Sequence, residues 1–184
     1  AEIAIPQKLE GQPVRRHAGL TGNGRYFLVF NMTPAQSVTV VDVETRTFVG
    51  EVSTPGCAII MPVDDLAFMM ICGDGMLQLI QLGEDGTEAN RVRGSTFFDV
   101  QVDPVFDRPE PTEDGWWLVS HEGEAFDVSV DETNIVVSES WNLLLRANYY
   151  GKHFDERGRI GTVFLPSAEI GSTVYFDLEL GYQL

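Results

Sequence analysis

Three stretches of this chain resemble one another, and their spacing limits what the chain can fold into. GRYFLVFNMTPAQSVTVVDVETRTFVGEV starts at Gly24, DLAFMMICGDGMLQLIQLGEDGTEANRV at Asp65, and DGWWLVSHEGEAFDVSVDETNIVVSESW at Asp114. Each reads as an apolar strand, a turn, a second strand ending near an acidic turn, and a third, more polar strand. Aligning Phe27, Phe68 and Trp117 separates the units by 41 and 49 residues. Repeats of about 40 to 50 residues built from several short strands indicate propeller blades. Helical periodicity is nearly absent, and Gly, Asp, Asn and Pro separate the apolar runs, so the expected class is all-β. A β-sandwich with similar strand spacing is the alternative.

Turn chemistry agrees with the repeat. Gly73-Asp74-Gly75 and His121-Glu122-Gly123 fall between the first two strands of their units, where a tight hairpin needs positive φ. Asp85-Gly86 occupies the next turn of the second unit. Three units cannot close a ring, since propellers need about four blades or more. The expected architecture is a partial β-propeller of about three blades over residues 1–140, with a C-terminal β-hairpin extension over 141–184. Open blade edges would invite self-association.

The charge balance narrows the partners. With 28 acidic residues against 12 Lys and Arg, the formal charge is −16, which disfavours nucleic acid. Solubility or a basic partner suits it better. Arg15, Arg16, Arg91 and Arg93 form weak basic clusters but never a run. No stretch of about 18 apolar residues occurs, so no membrane helix is expected. The first residues, AEIAIPQKLEGQP, lack the basic start and apolar centre of a secretory signal, and export cannot be read there.

Cys57 and Cys72 are the two cysteines, and with three scattered histidines they make no metal cluster. They flank CAIIMPVDDLAFMMIC. If Asp64-Asp65 form a two-residue turn, Val63 faces Leu66 and the pairing runs outward until Cys57 faces Cys72. Opposed cross-strand positions bring Cβ atoms within disulfide reach, and such a loop closure contributes roughly 3 kcal/mol. Two buried free thiols are the other reading. The register favours the bridge, although Pro62 removes a ladder donor from the first strand. A bridge implies an oxidising compartment such as the periplasm.

Four ordered elements carry a family resemblance: TPGC at Thr54 to Cys57, CGDG at Cys72 to Gly75, DPVF at Asp103 to Phe106, and the Ser-x-Glu-Gly turn at Ser120 to Gly123. Over about Gly19 to Val130 the chain resembles the heavy subunit of methylamine and aromatic amine dehydrogenases. The resemblance implies a periplasmic seven-bladed propeller with a disulfide between cysteines placed as Cys57 and Cys72 are. It also implies a small light-subunit partner whose two modified tryptophans form tryptophan tryptophylquinone, with electrons from primary amines passing to a small redox protein. The heavy subunit supplies scaffold and part of the substrate channel but no catalytic groups, so none are expected in this chain. The present chain has length for about half of that ring.

Other clusters read as structure. Trp116-Trp117 suggests a tryptophan-derived quinone, but strand neighbours point to opposite faces and cannot easily be cross-linked. Trp117 is expected in the inward series, with Trp116 against an adjoining blade or partner. Ser120, His121 and Glu122 have the residue types of a hydrolytic triad, but three consecutive residues cannot converge on one atom. Asp99, Asp103 and Asp107 could gather calcium, yet Pro104, Arg108, Pro109 and Pro111 mark an irregular surface loop between blades. Gly22-Asn23-Gly24 reads as a turn, not a phosphate-binding fingerprint.

The tail differs. From Val174 to Leu184 apolar residues take every second position. Over residues 141–184 the chain resembles the last strands of TonB-dependent outer-membrane receptors, through RANYYG at Arg146 to Gly151 and DLELGYQ at Asp177 to Gln183. It departs at Leu184, where an aromatic is usual. Two or three strands cannot span a bilayer, because open edges leave backbone groups unsatisfied. The expectation is a hairpin burying Val174, Phe176, Leu178 and Leu180, or else a junction of unrelated pieces. Three functions follow: a heavy-subunit-like scaffold of an amine dehydrogenase, an outer-membrane receptor fragment, or a non-enzymatic β-propeller interaction module.

Overall fold

The computed structural model describes residues 2–6, 14–139, 142–150, 153–155, 168–170 and 173–181. Apart from one 3-10 turn at Arg15–His17, every regular element among them is a strand. The chain divides into two compact units, 1–140 and 141–184.

The first unit holds three four-stranded antiparallel sheets, consistent with a partial propeller. The first sheet runs in the order β1 (Ala18–Leu20), β2 (Tyr26–Asn31), β3 (Ser37–Asp42), β4 (Thr47–Ser53). The middle sheet runs β5 (Cys57–Asp64), β6 (Ala67–Cys72), β7 (Leu77–Leu82), β8 (Glu88–Arg93). The third contains β9 (Glu110–Pro111), β10 (Gly115–Val119), β11 (Ala125–Asp131) and β12 (Asn134–Glu139), again neighbour beside neighbour. Each repeat of the sequence supplies the last three strands of a sheet, and a strand upstream of the repeat supplies the fourth: short in β1 and β9, eight residues long in β5.

Packing follows from side-chain parity. One core joins Tyr26, Leu28, Phe30, Val38 and Val40 to Ile60, Phe68, Met70 and Ile80, between the first and middle sheets. A second joins Met61, Met69, Leu77 and Leu79 to Trp116, Leu118, Phe126 and Val128, between the middle and third sheets. The middle sheet is therefore covered on both faces, which is why AFMMIC and LQLIQL are almost continuously buried. Its last strand, EANRVR, carries no fully buried residue.

Two aromatic donors tie the outer sheets to the middle one. The Tyr26 hydroxyl donates to the Glu84 carbonyl at 2.6 Å, and its ring lies so close to Gly86 that an added Cβ would sit 2.5 Å from a ring carbon. Gly86 also has φ of +77°, so glycine is required there twice over. On the other side the Trp116 indole N–H donates to the Pro62 carbonyl at 2.9 Å.

The β5–β6 register differs from the expected one inside the hairpin while meeting it at the end. Asp64 pairs with Ala67, so the turn is Asp65-Leu66 and not Asp64-Asp65. Irregularities between Ala58 and Ile60 and between Pro62 and Asp64 then return the ladder to Cys57 opposite Cys72. The second lies beside Pro62, which has no N–H to donate, and β5 is an edge strand where proline is tolerated. The first centres on Ile59, at φ of +68°. It inverts the alternation, so Cys57 shares a face with Ile60.

Trp117 is also corrected. Trp116 is 4% exposed within the second core, whereas Trp117 is 53% exposed and faces away from it. Phe27, Phe68 and Trp116 each hold the second position of their strand and pair with Val41, Ile80 and Val128 in turn. The third unit is thus aligned one residue late when anchored on Trp117, and one residue flips a side chain to the other face.

In the second unit, β13 (Asn142–Tyr150) pairs antiparallel with β16 (Thr173–Gly181), and β14 (His153–Asp155) with β15 (Ala168–Ile170). Val174 is 45% exposed, against the expectation that it is buried. A two-stranded ladder has two open faces, so alternation alone does not choose the covered one. The side chains of Phe176, Leu178 and Leu180, and residues 182–184, lie outside what the structure describes.

Candidate functional site

The end of the middle sheet that carries the cysteines is tied down from three sides. Cys57 and Cys72 are disulfide-bonded at an S–S distance of 2.03 Å. Gly73 N–H donates to the Gly56 carbonyl at 2.8 Å, across the mouth of the hairpin. From the first sheet, the Gln36 carbonyl accepts from Thr54 N–H at 3.0 Å, and its side-chain oxygen accepts from Gly56 N–H. Thr54, in the TPGC element, is fully buried, and its hydroxyl has no hydrogen-bond partner among the described residues.

Residues 94–109, between β8 and β9, lie along this end. Phe97 N–H donates to the Gly75 carbonyl at 3.0 Å. A Cβ on Gly75 would stand 2.1 Å from the Phe98 carbonyl oxygen, and Gly75 has φ of +80°. Only glycine fits that turn. Further along, the Asp99 carboxylate accepts from the N–H groups of Gln101 and Val102, at 2.8 and 3.2 Å. The Asp103 carboxylate accepts from Glu122 N–H at 2.7 Å. Phe106 N–H donates to the Val119 carbonyl at 2.8 Å, and its ring stacks on His121 at 4.2 Å. A segment this long without strands of its own is unusual in a compact domain, and such segments are commonly functional.

Between this segment and the disulfide runs a groove of about 300 Å³, lined by Cys57, Ile59, Ile71, Val100, Val105 and Phe106 among others. Two of its lining residues, Val100 and Phe106, are exposed, and Val102 in the same segment is 72% exposed. Among the described residues no three His, Cys, Asp or Glu side chains gather where they could hold one metal ion. The Ser120 hydroxyl accepts from Glu124 N–H at 2.9 Å, and His121 stacks on Phe106. These residues shape the turn and do not form a nucleophile–base pair. Asp107 lies apart from Asp99 and Asp103 in role, next to Arg108 on the exposed rim. Gly22-Asn23-Gly24 forms a turn in which the Asn23 side-chain oxygen accepts from Arg25 N–H. What this end of the molecule offers is an ordered groove with an apolar lining.

The shifted carboxyls lie elsewhere, in the acidic turns of the repeats. Hydrogen bonds from the Thr45 backbone N–H first, then from its hydroxyl and from Arg25, hold the Asp42 carboxyl below the usual range. The Thr87 hydroxyl and N–H do the same for Asp85. These acids cap turns. Burial raises the Tyr26 hydroxyl in turn.

Sequence reading placed the cysteines and the DPVF element ending at Phe106, but it passed over Val100 and Val102 because prolines marked their segment as irregular. The available signal was Phe98-x-Val100-x-Val102, an alternation with no strand partner.

A protein-family model described as methylamine dehydrogenase heavy chain matches residues 1–152, well over half of the chain. The chain belongs to the methylamine dehydrogenase heavy chain family. The match extends beyond Gly19–Val130 at both ends and includes β13, in the 141–184 tail. Among curated relatives, the methylamine dehydrogenase heavy chain of Methylobacillus flagellatus is 28% identical over 151 residues, covering 80% of this chain and 37% of the relative. That of Methylophilus methylotrophus is 25% identical over 136 residues, covering 72% and 33%. That of Paracoccus versutus is 29% identical over 90 residues, covering 49% and 20%. This heavy-chain family member thus spans about a third of the length of the first two relatives.

Proposed function

We propose that this chain forms three successive blades of a heavy-subunit propeller, and that it serves as the scaffold of a periplasmic amine dehydrogenase. Supporting this is the family match over residues 1–152, with the TPGC and CGDG cysteines of that match bonded to each other. The bond suits an oxidising compartment. The residues 1–140 would be the blade region and 141–184 an appended hairpin.

Chemistry would reside in a partner. Trp116 is buried and committed to the Pro62 carbonyl, and Trp117 faces the other way, so the pair does not fit a cross-linked quinone. A light subunit carrying tryptophan tryptophylquinone would oxidise the primary amine and pass electrons to a small redox protein. The role of this chain would be to hold that subunit in place and exclude water beside it. The apolar groove between the disulfide and residues 94–109 is the described surface best suited to that docking. The outer face of the third sheet, with Trp117, Val119 and Val136 exposed, is where a further blade or a second copy would stack.

Mixing purified chain with a heavy-chain-family light subunit tests the proposal. Co-elution on gel filtration, with amine-dependent dye reduction by the mixture, is the expected result. Absence of both would reject it.

A further inference from the structure

Among the described residues, arginines converge on a cleft in an otherwise acidic chain. It measures about 370 Å³ and lies between the 3-10 turn Arg15–His17 and the end of the 94–109 segment, with Arg15, Arg16, Arg108, Asp107 and Glu110 on its walls. Three of the 12 basic residues of a chain with formal charge −16 meet there. Among the described residues neither Arg15 nor Arg16 has a carboxylate within ion-pair distance. Arg108 has a long, exposed contact of 3.9 Å to Asp107, which solvent screens.

Arg16 is fixed in advance. Its guanidinium carbon lies 4.5 Å from the centroid of the Trp116 ring. That ring is buried and anchored through its N–H to the Pro62 carbonyl. A guanidinium stacked on an indole keeps its donor edge free, and holding it still lowers the ordering cost of binding. Burial, and after it the charge of Arg15, makes Arg16 less basic than an ordinary arginine, with Glu110 opposing. Like charges held side by side, with no carboxylate among the described residues in ion-pair contact with either, favour an incoming anion.

We infer that this cleft binds a carboxylate, held by Arg16 and Arg15 with Arg108 at the rim. Asp107 and Glu110 leave three positive groups facing two negative ones, so the net charge still favours an anion, and the planar donor edge of a stacked guanidinium matches the two oxygens of a carboxylate. The carboxylate could come from a small dicarboxylic acid or from an acidic peptide segment. The volume suits either a small molecule or one or two side chains.

Titration of the full chain with succinate, followed by arginine Nε–Hε NMR, tests the site. Inorganic phosphate serves as comparator and hexaglutamate as the peptide probe. Saturable shifts at Arg15 and Arg16 are expected with succinate, hexaglutamate or both. Response to one probe alone assigns the source and supports the site. Arg15→Gln and Arg16→Gln should each weaken binding by about tenfold, the scale of losing one charge-assisted contact. Arg91→Gln, on β8, should leave it unchanged. Because Arg16 packs on a core tryptophan, Arg108→Gln on the exposed rim gives a second variant, with a smaller loss expected. The proposal fails if neither probe saturates. It also fails if phosphate binds as tightly as succinate, or if binding ignores the Arg15 and Arg16 variants while those proteins remain folded.

Discussion

The middle and third sheets are built from similar repeats, yet they meet solvent differently. The middle sheet is sandwiched, so Phe68, Met69, Met70, Leu79 and Ile80 are all fully buried and both strand faces are apolar. The third is covered on one face only. Trp116, Leu118, Phe126 and Val128 are buried, while Trp117, Val119 and Val136 stand in solvent. The difference teaches that position in the stack, as much as the repeat itself, decides what each residue does. A strand with both faces covered reads as a continuous apolar run, and one with a free face alternates.

The largest expected effect of that contrast is on core truncation. Phe68→Ala should cost about 3–5 kcal/mol, as deletion of a fully buried aromatic does, read as a fall in the urea midpoint at unchanged slope. A loss under about 1 kcal/mol would mean that the first core does not close over β6. Next comes the staple. Replacing Cys57 and Cys72 together with Ala should remove roughly 3 kcal/mol, because 15 residues separate the bonded positions. The same variant tests whether the groove beside the bond survives its loss.

A smaller effect belongs to the tie between the two sheets. Trp116→Phe keeps most of the apolar bulk but leaves the Pro62 carbonyl without its donor, for a loss of about 1–3 kcal/mol in the same unfolding assay. The first sheet contributes a pH dependence. The folded Asp42 carboxyl lies below its ordinary range, so its contribution is full above about pH 4 and is lost as pH falls through the folded value. Asp42→Asn should lower stability at neutral pH and flatten the acid limb of a plot of urea midpoint against pH. Smallest of all is Trp117→Ser, on the free face, within about 0.5 kcal/mol of the parent. A large loss there would mean that the outer face of the third sheet is already covered.

The contrast also shows why parts of the fold were legible in sequence and others were not. The three repeats, their glycine turns and the opposition of Cys57 to Cys72 follow from local chemistry, and the sheets carry them. The hairpin interior was misread because two irregularities compensate. One arises from the missing N–H of Pro62 and the other from the left-handed backbone of Ile59, and only the first leaves a trace in sequence. Anchoring the third repeat on Trp117 failed for a related reason. Two adjacent tryptophans offer either parity, and Phe68 gives no guidance because both faces of its own sheet are buried. The arginine cleft was illegible because Arg16 and Arg108 are brought together by tertiary packing alone.

Backbone hydrogen exchange followed by mass spectrometry tests the stacked arrangement most directly, by comparing peptides covering β6 and β7 with those covering β10 to β12. Slowest exchange across Ala67–Leu82, with faster exchange through Gly115–Glu139, is the predicted order, since strands covered on both faces open only with the whole unit. Equal protection in the two regions, or greater protection in the third sheet, would contradict a middle sheet enclosed by its neighbours.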